Sequence, residues 1–568
     1  MFHSSISIFF LSTYTDEGML LKKLKIGSRR SDLARLQAHL VGDKLGATQF
    51  IFKEAPGDVN LKDPLWKMPE MGVFTSFLRR YLISKEIDLV VHSWKDLPVE
   101  KDPDSEIVAT LPRADPRDLL LVRKSALPKA YASGKMVVLS SSPRRKHNLP
   151  DFLLRSIPSC EGGINTIKEI EFRDVRGNIQ TRLSKLCAPA GESWLEDVTT
   201  GEKFQPTALI VAKAAIDRFL IAGKSSQEFK ETANFVQSCL DMCLWQVLPL
   251  SVNPTAAAQG ALAVEMLDKP ETEELRISVN RTLNCKTTFD CVNEERRILK
   301  SLGGGCHQKI GCTILQREWG KITFLRGETE SNKSPVMDAR VDTPCGPLMN
   351  WANNENDIML VGGKSGLQLF DRVDIPESLQ KIEEKKINAI YVSKHDALPA
   401  LFDPEKLNHC HVWTGGVHSW FKLAQRGVWV NGTSDSLGET EPIDIDLIAN
   451  RPLEWIKLTH SEGHNVEDPK TIATYKLKLK SEILRDQKYV MEKIQGKSHF
   501  YFSSGSSFKA LVSLVPSLRD KFDQHVFVAG CGPGNTLTFL RSQILDGKNK
   551  VIVAYNYADF TRKVLKPK

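Results

Sequence analysis

The chain reads as an α/β protein of several domains, and three observations carry that reading. Apolar runs such as Ile87 to Ser93, Met136 to Leu139 and Ala208 to Ala212 are the kind of strand buried on both faces of a mostly parallel sheet. Segments with helix-start residues and helical apolar spacing follow some of them. The length of 568 residues exceeds what one hydrophobic core serves, so about three to five domains are expected.

Taken in order, Leu24 to Ser28 predicts the first strand. Ser31 is placed to cap the next helix, where Leu33, Leu36 and Leu40 share a face and Gly46 stands near the stop. Met136 to Leu139 runs into Ser140-Ser141-Ser142-Pro143-Arg144-Arg145, where Ser142 suits an N-cap and Pro143 the first helical position. Ala208 to Ala212 and Ala261 to Met266 add strands, so the pattern to about residue 270 is α/β. Residues 187–206, rich in Gly, Pro, Glu and Thr, read as a surface insertion. A smaller unit spans 270–345: a helical stretch from Glu294 to Leu302, a Gly-rich turn holding Cys306, then strands such as Lys321 to Leu325. The polar Asn353 to Asp357 reads as an interdomain linker.

The remainder echoes itself. Ala389 to Val392 with Ser393-Lys394 and a helical stretch is matched by His499 to Phe502 with Ser503-Ser504 and Ser507 to Leu514. His411 to Trp413 with Gly415-Gly416 is matched by Val526 to Ala529 with Gly532-Pro533-Gly534. The offset of about 110 residues predicts two similar α/β lobes rather than a solenoid.

Composition narrows the function classes. With 41% hydrophobic and 26% charged residues the chain resembles an ordinary globular protein, and its net charge of +8 is dispersed without a basic block. That favours small anionic substrates over nucleic acid. Eleven cysteines, an odd number with no paired CxxC motifs, argue against a disulfide framework or a zinc site and for a reducing cytosol. No apolar stretch is long enough to span a membrane, and Ile6 to Leu11 lacks the flanks of a signal peptide. Residues 1–18 read as a stretch ahead of a true start at Met19, with ordered structure from Leu21.

Three strand ends place Arg beside Ser or Gly: Ser28-Arg29-Arg30-Ser31, Ser141-Ser142-Pro143-Arg144-Arg145, and Arg176-Gly177-Asn178 with Arg182. The guanidinium fork matches carboxylates, hydroxyls and free N–H groups add donors, and open α/β sheets bind ligands at such ends. Each Arg alone is a solvated surface residue; three together point to a polyanionic ligand. In Val90-Val91-His92-Ser93-Trp94-Lys95-Asp96-Leu97-Pro98, Asp96 either satisfies backbone N–H groups in a turn or serves as an acid/base or cation-stabilising carboxylate. Cys306, after Gly303-Gly304-Gly305, is either incidental to a glycine turn or a thiol left open for chemistry.

From about residue 22 to 345 the chain resembles the porphobilinogen deaminase (hydroxymethylbilane synthase) family. The resemblance rests on Ile26-Gly27-Ser28-Arg29 with Leu33-Ala34; Val91-His92-Ser93 with Lys95-Asp96-Leu97-Pro98; and Asp115-Pro116-Arg117-Asp118. It continues through Ser141-Ser142 with Arg144-Arg145; Arg176-Gly177-Asn178 with Thr181-Arg182-Leu183; Gln259-Gly260-Ala261; and Gly304-Gly305-Cys306 with Ile310-Gly311. The resemblance implies two lobes like those of periplasmic binding proteins, residues 21–118 (plus about 246–268) and 119–245, and a small α+β domain at 269–345 presenting the cysteine. It implies a covalent dipyrromethane on Cys306, held also by Ser28, Arg29, Ser31, Lys95, Ser141, Ser142, Arg144, Arg145, Arg176 and Arg182. It makes Asp96 the catalytic carboxylate, with Ser93, Arg29, Arg176 and Arg182 on the substrate porphobilinogen, four units of which yield hydroxymethylbilane. Departures are Ser76-Phe77 in place of a Lys-Glu pair, Lys309 in place of a proline, and Pro143 in place of an apolar residue.

Residues 355–565 resemble uroporphyrinogen-III synthase, a cofactor-free two-lobed family. The resemblance rests on Val392-Ser393-Lys394, Trp413 to Gly416, Thr474-Tyr475-Lys476, Phe502-Ser503-Ser504, Gly532-Pro533-Gly534-Asn535-Thr536 and Val551 to Ala554. It implies that hydroxymethylbilane is cyclised to uroporphyrinogen III. Tyr475 either assists departure of the hydroxyl group or is structural; Ser503, Ser504 and Thr536 either bind substrate carboxylates or cap helices. The expectation is a cytoplasmic, monomeric, bifunctional enzyme of tetrapyrrole biosynthesis with no metal, nucleic acid or membrane partner. The alternatives are a deaminase with a non-catalytic C-terminal module and an anion sensor built on the N-terminal lobes.

Overall fold

The computed structural model describes residues 21, 23–54, 76–158, 167–189, 194–196, 201–303, 309–329, 333–343, 350–363, 365–385 and 387–566. Residues 1–20 and Cys306 lie outside them. The chain is α/β throughout and divides into two compact units. One comprises Met1–Asp151, Ile167–Ile314 and Leu325–Met337, the other Phe152–Thr166, Leu315–Phe324 and Asp338–Lys568.

In the first unit, one sheet has the spatial order Gln49–Lys53, Lys25–Arg29, Leu89–Ser93, Leu262–Leu267, Ser105–Ala109. Leu89–Ser93 is its central strand, apolar and buried as expected. The sheet is mixed, however, where a mostly parallel one was expected. Lys25–Arg29 runs parallel to both its neighbours, while Leu262–Leu267 runs antiparallel to both of its own. A strand that returns in the opposite direction needs no crossover helix beside it. The helix Asp32–Leu45 begins after Ser31 and ends on Gly46 in the left-handed region (φ 68°), but the Ser31 hydroxyl makes no capping bond. Its buried stripe runs through Leu36, Ala38, Val41 and Leu45, leaving Leu33 and Leu40 half-buried at the margin.

The second sheet of this unit has the order Cys243–Val247, Asp118–Arg123, Ala208–Ala212, Lys135–Leu139, Glu169–Arg173. The helix Pro143–Asn148 opens where Ser142 and Pro143 predict, again without a side-chain cap. Within residues 187–206 the described residues include a short antiparallel pairing of Leu195–Glu196 with Lys203–Phe204, and Phe204 is buried. The helix expected from Glu294 starts at Lys286 and follows another, Glu273–Leu283. A three-stranded sheet of Gly311–Arg317, Gly320–Glu328 and Pro335–Asp342 follows.

The second unit carries the echoed halves as two sheets. Phe370–Asp374, Thr471–Leu479, Trp455–His460, Ala389–Val392, His411–Thr414 and Gly432–Thr433 form one. Ile358–Val361, His499–Phe502, Val528–Cys531 and Ile552–Val553 form the other, parallel throughout. The echo is imperfect: His499–Phe502 is followed by the helix Gly505–Leu514, whereas Ala389–Val392 is followed only by the 3-10 turn His395–Ala397. Pro399 accounts for this, because a residue before proline is pushed out of the helical region, and Leu398 is extended (φ −85°, ψ 113°). Asn353 to Asp357 is a capped turn rather than a loose linker, with Asn354 and Asp357 bonded reciprocally.

Among the described residues, no helix is long and apolar enough to cross a membrane, and no cluster of His, Cys, Asp and Glu could hold a metal. A buried quartet sits beside the second sheet. Lys213 Nζ lies 2.7 Å from Asp217 and 3.3 Å from Asp115, which in turn holds Arg117 at 2.7 Å. Burial, opposed by Lys213 and reinforced by Asp115, pushes the Asp217 carboxyl up to about 6. A carboxyl whose folded value exceeds its unfolded one contributes stability below about pH 4 that is lost as pH rises through 6. Asp217→Asn is therefore expected to flatten the pH dependence of Tm between about pH 4 and 6, measured by thermal unfolding; an unchanged slope would count against this assignment.

Candidate functional site

The central strand Leu89–Ser93 ends in the 3-10 turn Trp94–Asp96. Trp94 is buried beside Phe289 (ring centroids 5.4 Å apart) in a cluster with Leu97, Ala258, Ala261, Ala263 and Val292. Its backbone N–H donates to the Ala261 carbonyl at 3.1 Å. With Trp94 and Leu97 both turned inward, Lys95 is left half-buried and Asp96 exposed. Ser93 donates to the buried Gln37 (3.0 Å) and Ser28, fully buried, donates to the Arg29 carbonyl (3.1 Å). Arg29, at the end of its strand, and Ser31, just past it, are half-buried.

Asp118, the first residue of the strand Asp118–Arg123 in the second sheet, has 0% of its surface exposed. Its Oδ1 accepts from Arg145 Nη2 (2.6 Å) and Gln259 Nε2 (2.8 Å). Its Oδ2 accepts from Arg145 Nε (2.9 Å), Arg144 Nη2 (3.0 Å) and Asn253 Nδ2 (2.8 Å). Arg144 Nη1 donates further to Asn253 Oδ1 and the Pro254 carbonyl, and Arg145 Nη1 to the Ile210 carbonyl. Both arginines named by the sequence motif are thus engaged within the protein. Most of the Arg144 fork is bound within the protein, and Arg145 directs three of its bonds inward. Burial opposes ionisation of Asp118, yet the two guanidiniums outweigh it and hold the carboxyl far below the usual range.

Ser141 is likewise committed: it donates to the Val175 carbonyl (2.8 Å) and accepts from the Val175 N–H (2.9 Å). Its one proton is thus unavailable to a ligand, and its role is to fix the chain entering Arg176. Ser142 is half-buried at its helix start. Beyond Arg176, Gly177 adopts φ 106°, and a Cβ there would meet Thr181 at 2.6 Å, so only glycine fits this turn. Asn178 caps the helix Ile179–Cys187 by accepting from the Thr181 N–H at 2.9 Å. Arg182 lies one turn into that helix and donates from Nε to the Gly177 carbonyl at 2.8 Å.

These elements converge electrostatically. Burial lowers Lys95 from its ordinary value; Asp96 opposes this, Arg145 and Arg182 deepen it, and Asp118 opposes. Burial also pushes Arg182 down to about 10, with Arg145 and Arg176 adding to the effect and Asp96 opposing it. Lys95 and Arg182 thus each feel both Arg145 and Asp96, and Arg182 also feels Arg176. Ligand carboxylates would relieve the repulsion among these cations.

Cys306 lies outside the described residues, but both roots of its loop are placed. The N-terminal root leaves the helix Lys286–Ser301, whose buried Glu295 accepts from Arg113 Nη1 (2.5 Å), the Ala258 N–H (2.7 Å) and the Ile314 N–H (2.7 Å). At the C-terminal root, a Cβ on Gly311 would lie 2.0 Å from the Pro254 carbonyl and 2.8 Å from Arg144 Cδ. Lys309 pairs with Glu328.

In the second unit, Tyr475 is 4% exposed in the strand Thr471–Leu479. Arg372 lies 4.7 Å over its ring and His460 5.8 Å away. Burial, opposed by Arg372, pushes its hydroxyl up to about 12. Ser503 is exposed at a strand end, and Ser504 caps the helix Gly505–Leu514 by accepting from the Ser507 N–H at 3.2 Å. Thr536 is half-buried in the first turn of Asn535–Gln543. Glu439 accepts from Lys457 (2.5 Å) and Asn535 (2.9 Å).

Sequence reasoning did not single out Asp118, Asn253, Gln259 or Glu295. Asp118 and Gln259 lie in quoted segments, but the arginines on Asp118 come from 26 and 27 positions away. No local pattern joins them.

Known proteins resemble part of the chain. The family described as "Porphobilinogen deaminase, dipyromethane cofactor binding domain" matches residues 24–274, a segment that ends before Cys306. The porphobilinogen deaminase of Caldicellulosiruptor saccharolyticus is 32% identical over 297 residues, covering 51% of this chain and 84% of that protein. The probable porphobilinogen deaminase of Picrophilus torridus is 32% identical over 319 residues, covering 56% and 93%. The solved uroporphyrinogen III synthase of Thermus thermophilus aligns over 34% of this chain and 92% of its own, at 12% identity and a TM-score of 0.21. A superposition that loose carries no argument.

Removing the charge of Asp118 leaves two buried guanidiniums without their counter-ion. Asp118→Asn is expected to destabilise the protein by about 3–5 kcal/mol, read by denaturant unfolding; a loss under about 1 kcal/mol would show that the cluster tolerates the missing charge.

Proposed function

This chain belongs to the porphobilinogen deaminase family, and from that membership and its cationic cluster we propose that it condenses porphobilinogen into hydroxymethylbilane. The matched domain is that family's dipyrromethane cofactor-binding domain. The residues fit such a group. Each pyrrole of dipyrromethane carries an acetate and a propionate, and the donors gathered around Asp96 are cations in excess of carboxylates. Bound through a thioether to Cys306, the group supplies a primer for the growing chain. Arg29, Arg176 and Arg182 would hold ligand carboxylates, with Lys95 beside them. Arg144 and Ser141 act from behind, fixing the loop root and the entry to Arg176. The observation that carries the reading is Asp96, exposed on a rigid turn and close enough to Arg182 and Lys95 to alter their ionisation.

In this reading Asp96 stabilises positive charge. Porphobilinogen loses its aminomethyl nitrogen as ammonia, leaving a cationic pyrrole, and a fixed carboxylate beside that carbon lowers the barrier. The surrounding arginines would otherwise disfavour a cation there. The organisation into lobes at 21–118 (plus about 246–268) and 119–245, with a cysteine domain at 269–345, belongs to the same proposal, in which the site lies between the two five-stranded sheets.

A second activity is proposed for residues 355–565, the cyclisation of hydroxymethylbilane to uroporphyrinogen III. Its support is the set of sequence segments resembling uroporphyrinogen-III synthase and the state of Tyr475. Tyr475 carries a phenol proton at neutral pH beside Arg372 and would give it to the departing hydroxyl. Ser503 and Thr536 remain candidates for substrate carboxylates, while Ser504 is engaged as a cap.

Purified full-length protein incubated with porphobilinogen tests both parts. Release of ammonia with uroporphyrinogen III as product is expected; type I product alone removes the second activity, and no consumption removes the first. Cys306→Ser is expected to lose the Ehrlich-positive adduct and its mass, and retention of the adduct would overturn the anchor. Asp96→Asn is expected to keep the adduct while kcat falls by about a hundredfold or more.

A further inference from the structure

We propose that Gln259 is a positioning residue that holds the Lys95 ammonium beside Asp96 through its side-chain carbonyl. The inference rests on the deaminase reading and adds a residue that the reading does not use. Gln259 is 1% exposed, and its amide is held from both ends. Nε2 donates to the Pro116 carbonyl at 2.7 Å and to Asp118 Oδ1 at 2.8 Å. An amide nitrogen has two protons, and both are used. The orientation of the group follows from chemistry, because turning it over would set its oxygen against two acceptors. Oε1 is therefore aimed outward, and it accepts from Lys95 Nζ at 3.4 Å. The backbone is fixed as well, with the Gln259 carbonyl accepting from Arg113 Nε at 2.9 Å and Arg113 bound in turn to the buried Glu295.

The need for such an acceptor comes from Lys95's surroundings. The charged groups that act on it are Asp96, Arg145, Asp118 and Arg182. Two of them are cations that repel it, and burial disfavours its charge. A carboxylate in place of Gln259 would hold the ammonium but neutralise it. A neutral carbonyl holds it and leaves its charge available to a ligand carboxylate. The same amide bonds Asp118 on the second sheet and Lys95 on the turn that follows the first sheet's central strand. The lysine's position is thereby tied to the buried Asp118 cluster.

Gln259→Met conserves volume and removes both functions of the amide. Lys95→Met removes the partner. In full-length protein with the adduct confirmed by Ehrlich reagent, Gln259→Met is expected to raise KM for porphobilinogen about five- to tenfold. In a Lys95→Met background the same change should raise it less than about twofold. Lysine-selective carbon NMR should show the Lys95 titration about one pH unit lower in Gln259→Met. Equal effects in both backgrounds, or an unmoved titration, overturn the proposal. Should Gln259→Met not fold, Gln259→Asn carries the test, since the amide is kept but is one methylene too short to bond Asp118 and Lys95 at once, so the Lys95 titration should fall and KM should rise. An unmoved titration overturns the proposal. If the wild-type chain consumes no porphobilinogen, the deaminase reading fails, and the NMR titration still decides the role of Gln259.

Discussion

The first unit is organised around one buried carboxylate. Asp118 accepts five hydrogen bonds from four side chains while fully withdrawn from water. A buried charge is tolerated only when its partners replace the lost hydration, and here two guanidiniums and two amides do so. Those partners are spread along the chain: Arg144 and Arg145 open a helix after the strand Lys135–Leu139, and Asn253 and Gln259 lie between Cys243–Val247 and Leu262–Leu267. The segment that leads back to the first sheet is therefore fastened to the second. Gly311, at the foot of the cysteine loop, packs against the same Arg144 side chain and the Pro254 carbonyl. One ionic knot thus sets the relation of turn, helix and loop.

This division of labour explains why not all the strand-end arginines are alike. Arg144 and Arg145 meet Asp118 because their helix starts directly over it, and their bonding capacity is largely consumed. Arg182 has one bond to its own turn, to the Gly177 carbonyl, and a guanidinium depressed by burial and its cationic neighbours. Residues of the first kind build the wall of a site. Those of the second kind keep their charge among cationic neighbours. Asp96 stands among them as an exposed carboxylate because Trp94 and Leu97 on either side of its turn are drawn into the core.

The second unit repeats a simpler device, the parallel strand ending in a Gly or Ser turn that opens a helix. Such turns present backbone N–H groups, which suits anionic ligands but does not select one. What distinguishes this unit is Tyr475, enclosed by Arg372 and His460 and kept protonated by burial. The proline that truncates the first copy to a 3-10 turn shows how one residue separates two halves of otherwise similar pattern.

Much of this was legible in the sequence because it is local. Strands announced themselves as apolar runs, helix starts as Ser31 and the pair Ser142-Pro143, and the echo of the C-terminal halves as a repeated order of strand and turn. The order of the motifs along the chain was enough to point to the family. What only the tertiary structure decided was which polar side chains are spent on the protein. Ser141, Arg144 and Arg145 look like ligand donors in the sequence, yet their bonds go to Val175, Asp118, Asn253 and backbone carbonyls far along the chain. The mixed direction of the first sheet was hidden for the same reason. Hydrophobic periodicity and caps depend on neighbours a few residues away, whereas the pairing of a buried charge depends on groups that only folding brings together.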